Sequence, residues 1–543
     1  MMNNITSKQY VSGVILLILL AGLFIYIPLN IYPAEDAAIL FQYSENLSQT
    51  GAITYNLNGA HAEGATDFLW MVLLGLMNFI GFDTYLASTI LSMVALIGTA
   101  YLLFKITNTN NINYFLLFVA FLIFLPMTPG AIQGFSPLFF GFFIILTTYF
   151  FIMNKPGKLF ISALLLCLVR PDGIVFALPL IILIFIFNRD TMKINIKKLL
   201  IYFIVPGLIY FIWRWSYFGE FLPLPFYVKS DFDRYLLLFN LSSLKQNLVI
   251  IGVAFLPIII FIIRSFFYYK TNKKIIGLLV AIVFVPFIFY SSMALSQNVS
   301  YRFQYSIVLG LLILSAYVLH HISNKKILLF VFMGQILFLF PISSMRYMSL
   351  LAIPSQQIIY VAKELNTITT DASMAITEAG RLPYYSKWNA VDTWGLNTPK
   401  YTKNLIQPND IRTASFDLIV VHAGDEDYSS LLHLNDIPVF KKKKWGNMTT
   451  NIFKGIDMNN YTLFMVPFTH INKDSLLSVL YNYKDSLLSV LYNYMKSDQY
   501  KSNYIRYDAY FIKNNFQYSQ DVKSLLLRYH AITFEEFMKL NNK

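Results

Sequence analysis

The chain has 543 residues, of which 56% are hydrophobic, 17% aromatic and only 13% charged. Soluble globular proteins carry about 25% charged residues, so this composition, with a mean hydropathy of +0.54, excludes an ordinary cytosolic enzyme, a disordered chain and a secreted disulfide scaffold. The single cysteine, Cys167, permits no intrachain disulfide, and the net charge of +13 is distributed in a way that argues against nucleic acid as a partner.

The charges divide the chain near residue 345. Residues 1–345 hold 20 Lys and Arg and 11 Asp and Glu, whereas residues 346–543 hold 22 and 18. The first part also contains repeated apolar runs of about 17–22 residues, which are long enough to cross a bilayer. We therefore predict a polytopic α-helical membrane domain over residues 1–345 and a water-soluble α/β domain over residues 346–543.

The first predicted span, residues 11–31, is followed by a polar loop, residues 32–83. Glu35 and Asp36 stand at the start of an amphipathic helix in this loop. Carboxylates there lie at the membrane surface, where a lipid-linked substrate would present its head group, and a carboxylate so placed can act as general base toward an acceptor hydroxyl. The structural alternative is a pair of acids that stabilises the helix N-terminus through the helix dipole.

The loop ends in an apolar segment, Phe68–Gly81 (FLWMVLLGLMNFIG). Its length of about 14 residues is typical of an interfacial or re-entrant helix rather than a span. Counting it as a span would also move the later lysine-rich loops to the other side of the membrane. We therefore place this segment on the outer face.

The remaining apolar runs bring the predicted number of spans to about 11. They cover residues 84–105, 112–128, 136–153, 158–170, 172–188, 197–218, 246–268, 274–293, 304–321 and 325–345.

The charged loops between these runs indicate the orientation. One side collects 14 of the 20 basic residues and a single acid, Asp190, whereas the opposite side collects ten acids. Because basic loops stay in the cytoplasm, we expect a cytoplasmic N-terminus. Loop 32–83 and the C-terminal domain are then on the outer side of a bacterial inner membrane.

A polar break interrupts the apolar region at its outer end, where the sequence reads Arg170-Pro171-Asp172-Gly173. Proline and glycine end a helix and free backbone groups, which is tolerated at membrane depth only where protein or a cavity covers them. Charged residues at such depth are functional candidates. The alternative is a simple outer loop with a local ion pair.

The C-terminal part alternates helix-like and strand-like pieces. Residues 356–365 read as a helix, and residues 373–377 and 417–421 read as buried strands. The segment KDSLLSVLYNY occurs at residues 473–483 and again at 484–494. Eleven residues make about three helical turns, so the tandem copy extends a helix with its apolar face aligned.

The outer loop carries a pattern that resembles a known family. It resembles the first outer loop of the GT-C glycosyltransferases, and most closely that of the mycobacterial-type terminal arabinofuranosyltransferases and their bacterial relatives. The matching residues are Glu35-Asp36-Ala37, Tyr43, Asn46-Leu47, Asn56, Gly59, Glu63-Gly64, Thr66 and Phe68-Leu69-Trp70.

Further stretches match the family in the same order along the chain, from about residue 30 to about residue 400. They are Arg170-Pro171-Asp172-Gly173, Gly219–Pro223 with Lys229, Tyr301-Arg302-Phe303, Gly380 with Pro383-Tyr384-Tyr385, and Asp392 with Gly395-Leu396. Two departures stand out. Glu35 replaces the usual Asp, which makes Asp36 the more secure carry-over for the base, and Asn397-Thr398 replaces Thr-Asp.

The resemblance implies that a sugar is transferred from a polyprenyl-phosphate donor to a glycan or protein acceptor outside the membrane. Asp36, or its neighbour Glu35, would be the catalytic base, with inversion in one step. Cationic groups would hold the lipid phosphate. The substrate-binding residues would be Glu63, Tyr43, Thr66, Trp70, Arg170, Asp172, Lys229 and Arg302.

No cluster of His, Cys and acidic residues has metal-ligand spacing, and no Gly-rich loop of the phosphate-binding kind is present. The sequence therefore assigns no metal and no cofactor, and it leaves a divalent cation as an open requirement.

Three functions are compared. The first is an enzyme that transfers arabinofuranose or another pentose, and the second is a related transferase with an aminoarabinose or mannose donor. The third is a transporter or flippase for a lipid-linked glycan. A transporter should show paired halves with broken helices in matching positions, but only the break at residues 170–173 is found.

Overall fold

The computed structural model describes residues 31–229, 240–268, 273–293, 295, 298, 301–321, 326–352, 357–422, 443–469 and 506–541. The predicted first span, apart from residue 31, and the tandem repeat at 473–494 lie outside the described residues. The chain forms two compact units. The first unit consists of Met1–Tyr32, Thr66–Gly219 and Asp231–Leu351, and the second of Pro33–Ala65, Glu220–Ser230 and Ala352–Lys543.

The described part of the first unit is helical. Its helices are Phe68–Phe79, Thr84–Ile106, Ile112–Ile123, Thr128–Ala131, Pro137–Ile152, Pro156–Val169, Ile174–Phe187, Met192–Leu199, Val205–Phe218, Leu241–Tyr268, Lys273–Leu279, Val285–Ser292, Gln304–His321 and Lys326–Ala352. Every predicted apolar run from residue 84 onward overlaps at least one of these helices.

Four stretches in the described residues are long and apolar enough to cross a membrane: Thr84–Ile106, Arg189–Phe218, Lys273–Ser292 and Phe330–Tyr347. Several shorter apolar helices accompany them, among them Phe68–Phe79. This is the construction of a multi-pass membrane protein. The predicted number of 11 spans and the predicted orientation stay predictions.

Proline and capping residues set where these helices begin. Pro137 and Pro156 each stand at the first helical position, where a missing N–H costs nothing because that group has no partner within the helix. The carboxylate of Asp83 accepts the N–H of Leu86 at 2.9 Å and thereby caps helix Thr84–Ile106.

Two apolar stretches in the described residues each contain a π-helical segment. Leu200–Ile204 and Val280–Phe284 each precede a Val-Pro pair. Because proline lacks an N–H and crowds the carbonyl four residues earlier, a helix must deform there. For Pro286 that carbonyl belongs to Ile282. A Cβ on Gly310 would lie 2.1 Å from this oxygen, so glycine lets helix Gln304–His321 pack against it.

The second unit contains a six-stranded sheet with the order β2-β1-β3-β5-β4-β6. Its strands are Ser373–Ile376, Asn389–Asp392, Leu418–His422, Tyr461–Thr469, Arg506–Lys513 and Ile532–Thr533, for β1 to β6 respectively. β1 runs parallel to β2 and β3, whereas β5 pairs antiparallel with both β3 and β4. The two predicted strands correspond to β1 and β3.

Helices cover this sheet and extend the unit. They are Glu35–Thr50, Leu224–Lys229, Gln357–Ile368, Arg381–Ser386, Pro399–Thr402, Pro408–Ala414, Lys443–Gly455, Ser519–Arg528 and Phe534–Asn541. Residues 33–65, which the sequence analysis grouped with the membrane domain, thus belong to the same compact unit as the sheet. The domain boundary near residue 345 stays a prediction.

We expect Gly310→Ala to destabilise the protein, because its Cβ would meet the Ile282 carbonyl at 2.1 Å. Gly334→Ala is the matched control, since Gly334 also lies in an apolar helix but has nothing within 4 Å of its Cβ position. Alanine there should be neutral or stabilising by up to about 1 kcal/mol. The thermal midpoint of the detergent-solubilised protein measures both effects, and a Gly310→Ala midpoint equal to that of Gly334→Ala would contradict the packing.

Candidate functional site

The acid pair of the outer loop opens helix Glu35–Thr50 of the second unit, and its two members have different surroundings. Oε1 of Glu35 accepts the backbone N–H groups of Gly380 at 2.7 Å and Arg381 at 3.0 Å. The Nε atom of Arg381 lies 4.0 Å from the other carboxylate oxygen of Glu35 and donates to the Pro33 carbonyl at 2.8 Å. Burial raises the pKa of Glu35, while Arg381 and the two N–H groups oppose the rise.

Glycine is required at position 380 by the close approach of Glu35. A Cβ there would lie 2.1 Å from the backbone oxygen of Glu35 and 2.6 Å from Oε1. Further along helix Glu35–Thr50, Glu45 accepts the hydroxyl of Tyr384, and Lys387 binds the same carboxylate at 2.6 Å. Segment 380–387 therefore fixes helix Glu35–Thr50 at its start and in its middle.

A second buried contact joins the outer loop to the turn after β2. The Asp392 carboxylate accepts the N–H of Trp394 and both the N–H and the side-chain amide of Asn397, each at 2.9 Å. The side-chain oxygen of Asn397 accepts the hydroxyl of Tyr43 at 3.2 Å, and that hydroxyl accepts the N–H of Gly64, also at 3.2 Å. Asn397, one of the two departures from the family pattern, is thus the residue that meets Tyr43.

An imidazole and two further carboxylates lie close to the acid pair. His422, at the end of β3, contacts Asp508 of β5 through Nδ1 at 2.7 Å and Glu378 through Nε2 at 3.3 Å. Burial disfavours the imidazolium, but Asp508 and Glu378 outweigh it and raise the pKa of His422 to about 9. Burial raises the pKa of Glu378 to about 7, against the attraction of His422.

Sequence reasoning missed these three residues, although a signal for two of them was present. Glu378 and His422 stand at or just after the ends of two buried strands, β1 and β3, which run in parallel. The carboxyl ends of parallel strands meet at one edge of a sheet, where polar side chains collect. Asp508 had no such signal, since β5 enters the sheet antiparallel.

In the first unit, the polar break at residues 170–173 forms a buried ion network. Arg170 donates to both oxygens of Asp172, at 3.0 and 3.1 Å, and lies 3.7 Å from Asp67. Tyr290 donates to Asp172 at 2.7 Å, and Ser136 donates to Asp67. The local ion pair, which the sequence analysis gave as the alternative to a functional role, is therefore present, and Asp67 extends it beyond the loop.

Aromatic rings hold Arg170 and Arg302 at one small pocket of this unit. The Arg170 guanidinium lies 5.3 Å from the ring centre of Phe303, and the Arg302 guanidinium lies 5.4 Å from the same ring. Both arginines line the pocket, together with Pro137, Phe140, Tyr290, Phe303 and Ser306. Two cations beside one shared ring, next to polar hydroxyls, can bind an anion such as a phosphate.

The turn that presents Arg302 is strained and is held by amide groups. Tyr301 has φ +59°, a conformation that costs a bulky residue about 1–2 kcal/mol. The side-chain oxygen of Asn298 accepts the N–H of Phe303 at 3.3 Å, and its amide donates to Gln304 at 2.6 Å. Gln304 in turn donates to the buried Asn247 at 2.7 Å.

The other predicted substrate residues divide between the two units. In the second unit, Tyr43 is fully buried, Glu63 is 7% exposed, and Lys229 ends helix Leu224–Lys229. In the first unit, Thr66 donates to Asp67 at 3.3 Å, and the buried Trp70 donates to the Gly134 carbonyl at 3.3 Å. The substrate roles of these residues stay predictions.

No group of three or more His, Cys, Asp and Glu side chains in the described part of the chain could hold a metal ion. Glu378 and Asp508 illustrate the reason, because they approach opposite nitrogens of the His422 ring and do not converge on one point.

Comparisons with known proteins identify the fold. Residues 351–464 match a domain of unknown function (DUF8728), and no curated protein matches the chain. The crystal structure of ArnT from Cupriavidus metallidurans in the apo state is similar, with a TM-score of 0.56 at 12% identity over 76% of this chain and 93% of that chain. The chain therefore shares its fold with ArnT.

A second ArnT structure from the same organism, bound to undecaprenyl phosphate, gives a TM-score of 0.53 at 12% identity. It covers 77% of this chain and 94% of that chain. The likeness therefore includes nearly the whole length of the neighbour, and it agrees with the predicted fold class. At this identity it shows the fold alone and does not distinguish the arabinofuranosyltransferase subtype.

We expect the thermal midpoint to fall as the pH rises from 6.5 to 9. The folded-state pKa of His422 is raised from 6.5 to about 9, so its stabilisation is complete below pH 6.5 and is lost through pH 9, on the order of 3 kcal/mol. The pKa of Glu378 is raised to about 7, so the stability of the fold also falls as the pH rises toward 7. His422→Gln should flatten the decline above pH 6.5, and an equally steep decline in this variant would contradict the assignment.

Arg170→Met should destabilise the first unit by about 3–5 kcal/mol, because it leaves the largely buried Asp172 and Asp67 without their cation. The double variant Arg170→Met/Asp172→Asn should recover part of this loss, since one uncompensated charge is removed. Thermal unfolding in detergent measures both, and a double variant less stable than the single one would contradict the ion network.

Proposed function

We propose that this protein is a glycosyltransferase that moves a sugar from a polyprenyl-phosphate donor to a glycan or protein acceptor on the outer face of the inner membrane. The fold shared with ArnT carries the proposal, since one of the two similar crystal structures holds undecaprenyl phosphate, which is a polyprenyl phosphate. The apolar helices of the first unit provide the membrane setting that such a lipid needs.

Asp36 is the general base in this proposal. As the acceptor hydroxyl attacks the anomeric carbon, its proton passes to the Asp36 carboxylate. The bond from that carbon to the phosphate oxygen breaks, and the configuration at the anomeric carbon is inverted. Glu35 is the weaker candidate because its Oε1 already accepts two backbone N–H groups, which supports an anchoring role. Asp36 follows it at the start of the helix and is half-buried.

Arg170 and Arg302 hold the lipid phosphate in this proposal. The phosphate leaves with increased negative charge, and fixed cations stabilise that charge in the transition state. The pocket that both arginines line supports this role, with Asp172 and Asp67 orienting Arg170. Lys229, in the second unit, stays a predicted substrate-binding residue on the resemblance alone.

The remaining predicted residues receive lesser roles. Glu63 and Thr66 contact hydroxyls of the sugar. Tyr43 and Trp70 are fully buried and hydrogen-bond to protein groups, which supports a role in shaping the site through packing.

Arabinofuranose or another pentose is the leading sugar, because the outer-loop motifs resemble the arabinofuranosyltransferases. An aminoarabinose or mannose donor is the second candidate and is compatible with the same fold. The proposed orientation has the N-terminus in the cytoplasm and the C-terminal domain outside, following the distribution of basic residues.

The decisive variant is Asp36→Asn, which removes the base but retains its shape. We expect it to reduce transfer about 10²–10⁴-fold, the usual contribution of a positioned base. Membranes containing each variant are incubated with labelled polyprenyl-phosphate-arabinose and, in parallel, with the aminoarabinose and mannose analogues. Label in macromolecular product is then measured.

Glu45→Gln is the matched control, since Glu45 lies on the same helix but binds Tyr384 and Lys387. It should retain most of the transfer. Full transfer by Asp36→Asn would remove Asp36 from the role of base. Transfer from an analogue alone would replace the pentose as the donor, and no transfer from any of the three would contradict the proposed function.

A further inference from the structure

A cluster of ionisable side chains surrounds His422 in the second unit. His422 is 8% exposed, and both of its ring nitrogens face carboxylates, Asp508 at 2.7 Å and Glu378 at 3.3 Å. Its backbone N–H donates to the Thr377 hydroxyl at 2.8 Å, which fixes the ring beside the chain that leads from β1 toward Gly380. A histidine between two carboxylates is held as the imidazolium.

A short segment of the chain, residues 378–381, connects this cluster to the acid pair. Glu378 contacts His422, and Gly380 and Arg381 donate their N–H groups to Glu35 at 2.7 and 3.0 Å. Between them, the carbonyl of Ala379 accepts the hydroxyl of the buried Tyr55 at 2.7 Å. Segment 378–381 therefore ties the imidazolium to the first turn of helix Glu35–Thr50.

The charges of the cluster are unequal. Its carboxylates are Glu35, Asp36, Glu378 and Asp508, and its cations are His422 and Arg381. The phenol of Tyr510 on β5 also interacts electrostatically with Asp508, Glu35 and Glu378. Like charges in a buried place disfavour ionisation. Without the imidazolium, a single guanidinium would have to offset four carboxylates.

We propose that His422, fixed between Asp508 and Glu378, is the positive charge that offsets the carboxylates around the acid pair Glu35-Asp36, and that it is thereby a positioning residue for the general base. The proposal rests on the assignment of Asp36 as that base. A base must be ionised to accept a proton, so His422 acts on the reaction through the field that it exerts and without touching the substrate.

The pKa directions agree with this role. Both Glu35 and Asp36 contribute to the raised pKa of Glu378, and Glu35 contributes to that of His422. The groups therefore interact through space as one electrostatic system. Removal of one charge should change the ionisation of the others.

The first test is a double-mutant cycle on the full-length protein in detergent at pH 7, measured by the thermal midpoint. His422→Gln should lower the midpoint, because the four carboxylates lose one of their two cations. Adding Asp36→Asn removes one carboxylate and should restore at least half of that loss. Additive effects of the two changes would overturn the proposal. His530→Asn, at an exposed histidine of the same unit, should give an additive cycle with Asp36→Asn.

The second test is the pH dependence of kcat/KM for sugar transfer. His422→Gln should move the acidic limb of the profile upward by about one pH unit, because the base is harder to ionise. Activity would then fall about tenfold at acidic pH and less at alkaline pH. A uniform loss of activity at every pH, with the acidic limb of the profile unmoved, would overturn the proposal and leave His422 with a merely structural role.

The two tests separate the two proposals. If the wild type transfers no sugar, the proposed function fails, and the thermal cycle still decides whether His422 balances the charge of Asp36. If the wild type transfers sugar but the cycle is additive, the function stands and the role of His422 is wrong.

Discussion

One interaction organises the second unit: a carboxylate from a distant part of the chain accepts hydrogen bonds from two backbone N–H groups. Glu35 accepts the N–H groups of Gly380 and Arg381, and glycine at 380 permits the approach. This contact joins a helix near the start of the chain to a sheet that begins more than 330 residues later. Without it, the acid pair would be a mobile feature of a surface loop rather than a fixed one.

Charge balance governs the interior of both units. In the first, Arg170 is neutralised by Asp172 and Asp67 and packed between aromatic rings. In the second, the cations His422 and Arg381 stand among four carboxylates. Buried ions need such partners because transfer from water costs several kcal/mol per charge. Each cluster holds twice as many carboxylates as cations. In the second, the pKa values of Glu35 and Glu378 are raised, and perturbed carboxyl groups of this kind are suited to acid–base chemistry.

Local patterns explain what could be predicted. The apolar runs from residue 84 onward correspond to helices, since a span must satisfy its backbone internally, and two short apolar runs in the C-terminal part correspond to β1 and β3. The ion pair of Arg170 with Asp172 could be offered as an alternative because the two residues stand two positions apart in the sequence. Asp67, which also approaches Arg170, was not foreseen as its partner because 103 positions separate the two in the sequence.

The sequence by itself determined the membrane character, the α/β nature of the C-terminal part and the candidate acids, because each follows from composition or from local periodicity. Only the tertiary structure decided which residues meet. It assigned loop 33–65 to the unit that contains the sheet, gave Glu35 an anchoring contact, and surrounded His422 with Glu378 and Asp508. The physical reason is that long-range pairing depends on how strands and helices pack, and no local pattern records the partner of a buried charge.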